Sequence, residues 1–188
     1  MPATARTAAR YTSARTTAAA RFRFSMLGAT AEAHATARSW YADAARFCRV
    51  LAHGTGWTLP TAAAVVSAFS PRERWSVNKA KAVQYACGYT PSGLGANVRR
   101  ADACVRSGLD GLGNGPKIQA FARAMLGEAD AVVVDSWMCR AAGLASDSPT
   151  PTEYAAIADA VRELATEYGM RPVDMQALLW ILVRGKAQ

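Results

Sequence analysis

A lysine and an aspartate are the residues most clearly suited to take part in a reaction. Between Gly111 and Asp135 the chain runs GLGNGPKIQAFARAMLGEADAVVVD. Lys117 follows the glycine turn directly, and Asp135 closes a run of valines eighteen residues later. A neutral lysine amine is a nucleophile, and a carboxylate stabilises positive charge that develops during a reaction. Two ordinary roles compete: Lys117 as a solvated lysine at a helix start, and Asp135 as the N-cap of the next helix.

The glycine turn before Lys117 has the form of a phosphate-binding hairpin. Gly113 and Gly115 can take positive φ, and Pro116 suits the first helical position, where its missing N–H removes no hydrogen bond. Backbone N–H groups at the start of the second helix then point outward and can bind an anion. A C-cap glycine followed by a new helix is also common, so the turn alone favours an ordinary helix connection.

The elements that must position these residues are predicted to be helices. The chain has 188 residues, of which 51% are hydrophobic and 19% charged, which suits one domain with a real core. Alanine is abundant and valine clusters are few, so we expect an all-α fold of about eight short helices. The segment TAAAVVSAFS should be a central helix capped by Thr61, and Thr152 and Pro172 should begin the last two helices.

The charge of the chain indicates a polyanionic partner. The formal net charge is +8 and the sequence pI is about 9.7, so nucleic acid is the first expectation and an anionic membrane surface the second. Residues 1–25 carry five arginines and no acidic residue, and the single domain is expected over residues 26–188. This basic N-terminal arm could be a flexible segment that touches phosphates, a transit-like segment or a first helix, and we favour a poorly ordered or helical terminus that adds nonspecific affinity.

The cysteines and the hydropathy pattern give no sign of a cofactor or a membrane span. Cys48, Cys87, Cys104 and Cys139 are dispersed, without a CxxC pair or a histidine at metal-binding spacing. We therefore expect no metal and no cofactor. The cysteines should be free thiols, buried inside a protein of a reducing compartment. No apolar run approaches the roughly 18 residues of a membrane span, so a soluble cytoplasmic monomer is expected.

Three segments together resemble a known enzyme family. GLGNGPKIQAF followed by VVVDSWMCR is similar to the helix-hairpin-helix DNA glycosylases related to endonuclease III and 8-oxoguanine DNA glycosylase, with the hairpin at about residues 97–126. FSPRERWSVNKA resembles the endonuclease III segment whose turn inserts a side chain into the gap left by a flipped base. QALLW resembles the segment that lines the base pocket of 8-oxoguanine glycosylases. The three matches occur in the family's order and cover most of residues 60–185.

The resemblance implies roles for individual residues. Lys117 would be the nucleophile that forms a Schiff base with deoxyribose, and Asp135 its electrostatic partner and proton acceptor. The extruded base would stack between Phe121 and Trp180 and be recognised by Gln176, although both aromatics also suit an ordinary core. The remaining implied residues contact DNA: Arg72 as the wedge, and Gly113, Gly115, Lys79, Arg99 and Arg100 as phosphate contacts.

The chain also departs from that family. The interval before the hairpin is shorter than in endonuclease III, the four-cysteine cluster loop is absent, and Trp137 stands where a histidine is usual. Compact chains of this kind look like glycosylase-fold proteins of bacteriophages with high-GC hosts, some of which have been assigned to thymine hypermodification. The resemblance therefore implies a DNA glycosylase with lyase activity on a damaged or modified base. A base-modifying enzyme and a non-catalytic helix-hairpin-helix DNA-binding protein are the alternatives.

Overall fold

The computed structural model describes residues 3–93 and 95–185, which contain helices and no strand. The expected all-α fold class is confirmed, but the helices are not uniformly short, since the first two have 24 and 25 residues. In none of the described helices do length and apolar character together reach what a membrane span requires. The helices are α1 (Ala3–Met26), α2 (Ala31–Thr55), α3 (Leu59–Ala68), α4 (Trp75–Ala86), α5 (Gly95–Ser107), a 3₁₀ helix (Gly108–Leu112), α6 (Pro116–Met125), α7 (Ser136–Ala141), α8 (Pro151–Glu167) and α9 (Pro172–Arg184).

The chain divides into two compact units. Unit 1 contains the described residues up to Trp40 and those from Ala129 onward, and unit 2 contains Tyr41–Glu128. The first division therefore falls inside α2. Where the sequence suggested one domain over residues 26–188, the two ends of the chain form a unit together.

The basic N-terminal residues form a helix, one of the forms expected for them: α1 packs against α8 within unit 1. Phe22 is completely buried, and the arginines of α1 meet the carboxylates of α8. The pairs follow the same order along both helices, so α1 and α8 run parallel. They are Arg10 with Glu153, Arg15 with Glu163, and Arg23 with both Glu163 and Glu167. These three arginines are thus neutralised within the protein.

Acid is expected to destabilise the α1–α8 contact. Hydrogen bonds from Arg15 and Arg23 lower the pKa values of Glu163 and Glu167, and the Thr150 backbone N–H lowers that of Glu153. Since these folded-state values lie below the unfolded ones, their contribution is complete above about pH 4.5 and is lost as the pH falls through the folded pKa values. The unfolding temperature, measured by circular dichroism, should decrease between pH 6 and pH 3.

A variant that lacks the arginine partners is the control for this pH dependence. The double substitution Arg15→Gln and Arg23→Gln removes the guanidinium groups and keeps two long polar side chains. Its unfolding temperature should be lower at pH 6 and should change less between pH 6 and pH 3 than that of the wild type. An equal change in both proteins would contradict the assignment. High salt should weaken the same pairs, since they lie at the surface.

Unit 2 is built around α3, whose residues from Thr61 to Ala68 are all buried. Helices α4, α5, α6 and the 3₁₀ helix pack against it, as the prediction of a central apolar helix requires. The cap is Thr58, however, and not Thr61: the Thr58 hydroxyl accepts from the Thr61 N–H at 3.2 Å. The start lies upstream of the prediction because Pro60 fits the first turn of a helix.

The same effect moves the start of α8. Thr150, and not Thr152, is the N-cap, with Pro151 directly after it and Glu153 completing a capping box. The prediction for Pro172 at the start of α9 is confirmed. Among the cysteines, Cys48, Cys104 and Cys139 are buried as expected, whereas Cys87 at the end of α4 is exposed.

Candidate functional site

The glycine turn and the helix predicted after it are present in unit 2. The 3₁₀ helix follows α5, and a turn over residues 113–115 leads into α6, which begins at Pro116 as predicted. Gly113 has a φ of 70°, a left-handed conformation that favours glycine, whereas Gly115 has a φ of −68°. The Gln119 amide closes the turn by donating to the Gly113 carbonyl at 2.9 Å.

The backbone N–H groups of this turn are only partly available to a ligand. The Gly113 N–H donates to the Asp110 carbonyl at 3.1 Å, so the expected phosphate contact from Gly113 is already committed inside the turn. The N–H groups of Gly115, Lys117 and Ile118 have no acceptor within the described part of the chain. These three donors lie at the start of a ten-residue helix, where anions are favoured.

The position of the Lys117 backbone is fixed by contacts of the neighbouring residues and not by contacts of the Lys117 side chain. The buried Ser67 hydroxyl of α3 donates to the Ile118 carbonyl at 2.6 Å, which fixes the first turn of α6 against the core of unit 2. The Lys117 side chain is half-buried. It forms no ion pair or hydrogen bond with a described residue of unit 2. Its amine is therefore available for chemistry on a bound molecule.

Arg72 lies in a strained turn between α3 and α4. Its φ is 64°, and it is the one described non-glycine residue with positive φ. The Glu73 N–H donates to the Ser70 carbonyl at 3.2 Å, so Pro71 and Arg72 occupy the central positions of a turn whose second central residue is ordinarily glycine. Glu73 pairs with Lys81 of α4, which anchors the turn. The turn thus presents the exposed Arg72 side chain at an energetic cost.

Other predicted phosphate contacts lie on the same unit. The Lys79 ammonium is 5.5 Å from the ring centroid of Trp75. Arg99 is exposed on α5, and the half-buried Arg100 is 3.5 Å from the side-chain oxygen of Asn97. Unit 2 contains eleven lysines and arginines against five acidic residues, a net charge of +6, while the remaining residues of the chain carry +2. The excess positive charge is therefore concentrated on unit 2.

Two of the predicted base-pocket residues are buried. Phe121 is 7% exposed, and its ring contacts those of Tyr41 and Trp75 at centroid distances of 6.4 Å and 6.2 Å in the core of unit 2. Gln176 on α9 is 3% exposed. The burial of Phe121 agrees with the core role that competed with its pocket role, whereas no core role was expected for Gln176. Contact of either side chain with a base would require local opening.

Asp135 is positioned by the valine run before it. Val132–Val134 are buried. The Tyr154 hydroxyl forms two hydrogen bonds with their backbone: it donates to the Val132 carbonyl at 2.9 Å and accepts from the Val134 N–H at 3.3 Å. Burial raises the pKa of Tyr154 to about 12, so the hydroxyl keeps its proton at neutral pH. The extended run ends at Asp135, immediately before α7.

Both carboxylate oxygens of Asp135 accept hydrogen bonds. Oδ1 accepts from the Met138 N–H at 2.9 Å, which confirms the predicted N-cap. Oδ2 accepts from the indole Nε1–H of Trp180 at 3.0 Å. These two N–H donors fix the orientation of the carboxylate, and the positive charge of Arg140 on α7 interacts with it electrostatically.

A row of indoles and guanidinium groups extends from this carboxylate. Trp180 lies 6.1 Å from Trp40 between ring centroids, and the Arg184 guanidinium is 4.7 Å from the Trp180 ring and 5.7 Å from the Trp137 ring. The Arg140 guanidinium lies 5.0 Å from the centroid of the Trp137 ring, at the other end of the row. These contacts were not predicted from the sequence. The spacings of four residues between Trp180 and Arg184 and of three between Trp137 and Arg140 were the available signal.

The family of this chain follows from a comparison over almost its whole length. The model of the family DUF7178 matches residues 4–187. The chain belongs to DUF7178. This family is described as one of unknown function. No curated protein and no solved structure matches the chain.

In this DUF7178 chain, the predicted residues are distributed over both units. Unit 2 carries Lys117, Phe121 and the predicted DNA contacts, and unit 1 carries Asp135, Gln176 and Trp180. Within unit 1 the fold joins Asp135 directly to Trp180. Among the described residues, no group of three or more histidine, cysteine or acidic side chains could hold a metal ion. The predicted residues themselves offer an amine, a carboxylate, indoles and guanidinium groups.

Proposed function

We propose that the chain is a DNA glycosylase with abasic-site lyase activity, in which Lys117 is the nucleophile. The observation that carries the proposal is the Lys117 amine at the start of α6, which pairs with no described residue of unit 2 and lies beside three backbone N–H donors suited to a phosphate. An amine in this position meets the sugar next to the phosphate that the helix start binds. The amine attacks C1′, the bond from C1′ to the base breaks, and the base leaves with the proton that the lysine nitrogen loses.

The lyase step follows from the product of this attack. The aminal at C1′ opens to a protonated imine, the 2′ carbon loses a proton, and the 3′ phosphate leaves, so the strand is nicked by β-elimination. Both the oxocarbenium character at C1′ during base loss and the iminium that follows carry positive charge. A fixed carboxylate stabilises such charge. Asp135 supplies it, since both of its oxygens are held by N–H donors.

In this mechanism Lys117 and Asp135 act at different points of the reaction, so each role can be tested separately. Lys117 is needed for the covalent imine. Asp135 is needed for its rate of formation, so Asp135→Ser should slow imine formation and still allow it to accumulate.

The charge of unit 2 supports DNA as the partner. Eleven basic residues against five acidic ones favour a polyanion over a neutral or cationic ligand. Binding should weaken steeply with salt, because each phosphate contact releases a counterion. A glycosylase of this kind would act in the cytoplasm of a bacterial or phage-infected cell, where its DNA substrate lies.

Arg72→Gly is expected to lower DNA affinity without lowering stability. Glycine relieves the positive φ of residue 72, so the free energy of unfolding should stay unchanged or rise by about 1 kcal/mol. Affinity for a duplex with one abasic site should fall more than affinity for an intact duplex, because a side chain that enters the vacated space contacts only the former. Urea unfolding and fluorescence anisotropy measure the two effects.

Arg106→Gln is the matched control for Arg72→Gly. Arg106 is an exposed arginine of α5 on the same unit, so its replacement removes the same charge. It should weaken binding to both duplexes equally. If Arg72→Gly also weakens both duplexes equally, Arg72 is an ordinary phosphate contact and not a wedge.

Borohydride trapping tests the proposed function against the two alternatives. The wild-type chain is incubated with duplexes that contain single defined lesions or one abasic site, and borohydride reduces any imine to a stable crosslink. A base-modifying enzyme gives neither crosslink nor abasic sites, and leaves a base of altered mass in the DNA. A non-catalytic binding protein leaves the DNA unchanged. Either outcome contradicts the glycosylase proposal, while the lesion that is cleaved identifies the base.

A further inference from the structure

We propose that Trp180 is a positioning residue for the Asp135 carboxylate and not a stacking surface for the extruded base. The inference rests on the proposed function, because it gives Trp180 a part in the same reaction. Its basis is the hydrogen bond of 3.0 Å from the Trp180 indole Nε1–H to Asp135 Oδ2. The two residues are 45 positions apart, so the bond is a tertiary contact within unit 1.

The carboxylate needs both of its hydrogen bonds to keep one orientation. The Met138 N–H fixes Oδ1 as part of the N-cap of α7. That bond alone leaves the carboxylate free to rotate about the bond that joins it to Cβ, since rotations of this kind have broad minima. The indole N–H at Oδ2 removes this freedom. The negative charge is therefore held in place before any substrate binds.

The surroundings of the Trp180 ring support a holding role. Trp40 contacts it at 6.1 Å between ring centroids, and the Arg184 guanidinium lies 4.7 Å from its centroid. These contacts fix the ring, and a fixed ring fixes the direction of its N–H. A base that stacked on Trp180 would have to compete with them. The indole is thus better suited to orient a carboxylate than to receive a base.

Preorganisation predicts an effect on rate and not on affinity. A carboxylate that is already oriented needs no reorganisation when positive charge develops at C1′. Trp180→Phe removes the N–H and keeps an aromatic ring for the contacts with Trp40 and Arg184. The single-turnover rate of nicking of a duplex with one abasic site should fall by about tenfold or more. The Kd for the same duplex should remain unchanged.

Trp57→Phe is the matched control. Trp57 is also half-buried and also contacts another aromatic ring, that of Tyr85 in unit 2. The same substitution there should leave the nicking rate at the wild-type value. The second arm of the test places Trp180→Phe in an Asp135→Ser background. Serine keeps the N-cap but cannot reach the indole, so Trp180→Phe should then have no further effect on the rate.

Nuclear magnetic resonance gives a readout that does not depend on catalysis. The Trp180 indole N–H resonance should be protected from hydrogen exchange in the wild type and should lose this protection in Asp135→Ser. Unchanged protection would overturn the inference even if Trp180→Phe fails to fold. A wild-type rate in Trp180→Phe, or an equal decrease in the Asp135→Ser background, would overturn it and leave the glycosylase proposal intact. If the wild type neither nicks nor crosslinks the abasic duplex, the proposed function fails and the inference fails with it.

Discussion

Lys117→Ala is expected to give no borohydride crosslink with a duplex that contains one abasic site, under conditions in which the wild-type chain is crosslinked. Only an imine between the protein and the sugar is reduced to a stable amine, and an alanine cannot form it. The loss should be complete and not partial, because the side chain that forms the covalent bond is absent. Denaturing gel electrophoresis of labelled DNA measures the crosslink and the nicked product together.

Lys117→Arg separates the loss of chemistry from the loss of binding. Arginine keeps the positive charge at the start of α6, but its guanidinium stays protonated and does not attack the sugar. This variant should bind the duplex with nearly the wild-type affinity and still give no crosslink. A crosslink that survives in both variants would assign the nucleophile to another amine of the chain, which peptide mapping of the adduct would identify.

Local patterns in the sequence predicted the local features of the site. The start of α6 at Pro116, the positive φ of Gly113 and the N-cap of Asp135 are each determined by residues within one helical turn. Their physical causes are the fixed φ of proline, the missing side chain of glycine and the short carboxylate of aspartate. The two wrongly predicted N-caps have an equally local cause. A proline lies two residues after Thr58 and another lies one residue after Thr150, and each moves the helix start upstream of the prediction.

Local patterns could not predict the contacts between residues that are distant in the sequence. The bond from Trp180 to Asp135 depends on how α9 packs in unit 1, and one sequence gives no sign of which polar group an indole will meet. The arginines of α1 were expected to add nonspecific affinity for a polyanion. Their carboxylate partners on α8 could not be predicted, because they lie more than a hundred residues away in the sequence. The positive φ of Arg72 was equally unexpected, because turns of this kind ordinarily contain glycine at that position.

Gly111→Ala is expected to destabilise the chain by about 3 kcal/mol, the upper part of the range for overpacked interiors. A Cβ atom on residue 111 would lie 2.3 Å from the backbone nitrogen of Cys104 and 2.4 Å from the carbonyl carbon of Ala103. Both are backbone atoms in α5, so no side-chain rotation can relieve the clash. The 3₁₀ helix must move away from α5, and the turn that precedes Lys117 moves with it. Urea unfolding should show a lower midpoint with an unchanged slope.

Two other glycine variants distinguish this close approach from a general effect of alanine. Gly54 lies near the end of α2 with open space at its Cβ position and no positive φ, so Gly54→Ala should leave stability unchanged or raise it by about 0.5 kcal/mol. Gly113→Ala meets no atom either, but its φ of 70° costs about 1 kcal/mol for a residue with a side chain. The expected order of stability is therefore Gly54→Ala, then Gly113→Ala, then Gly111→Ala. If Gly111→Ala is as stable as Gly113→Ala, α5 and the 3₁₀ helix do not approach closely enough to require glycine. The support of the Lys117 turn would then come from Ser67 and Gln119 alone.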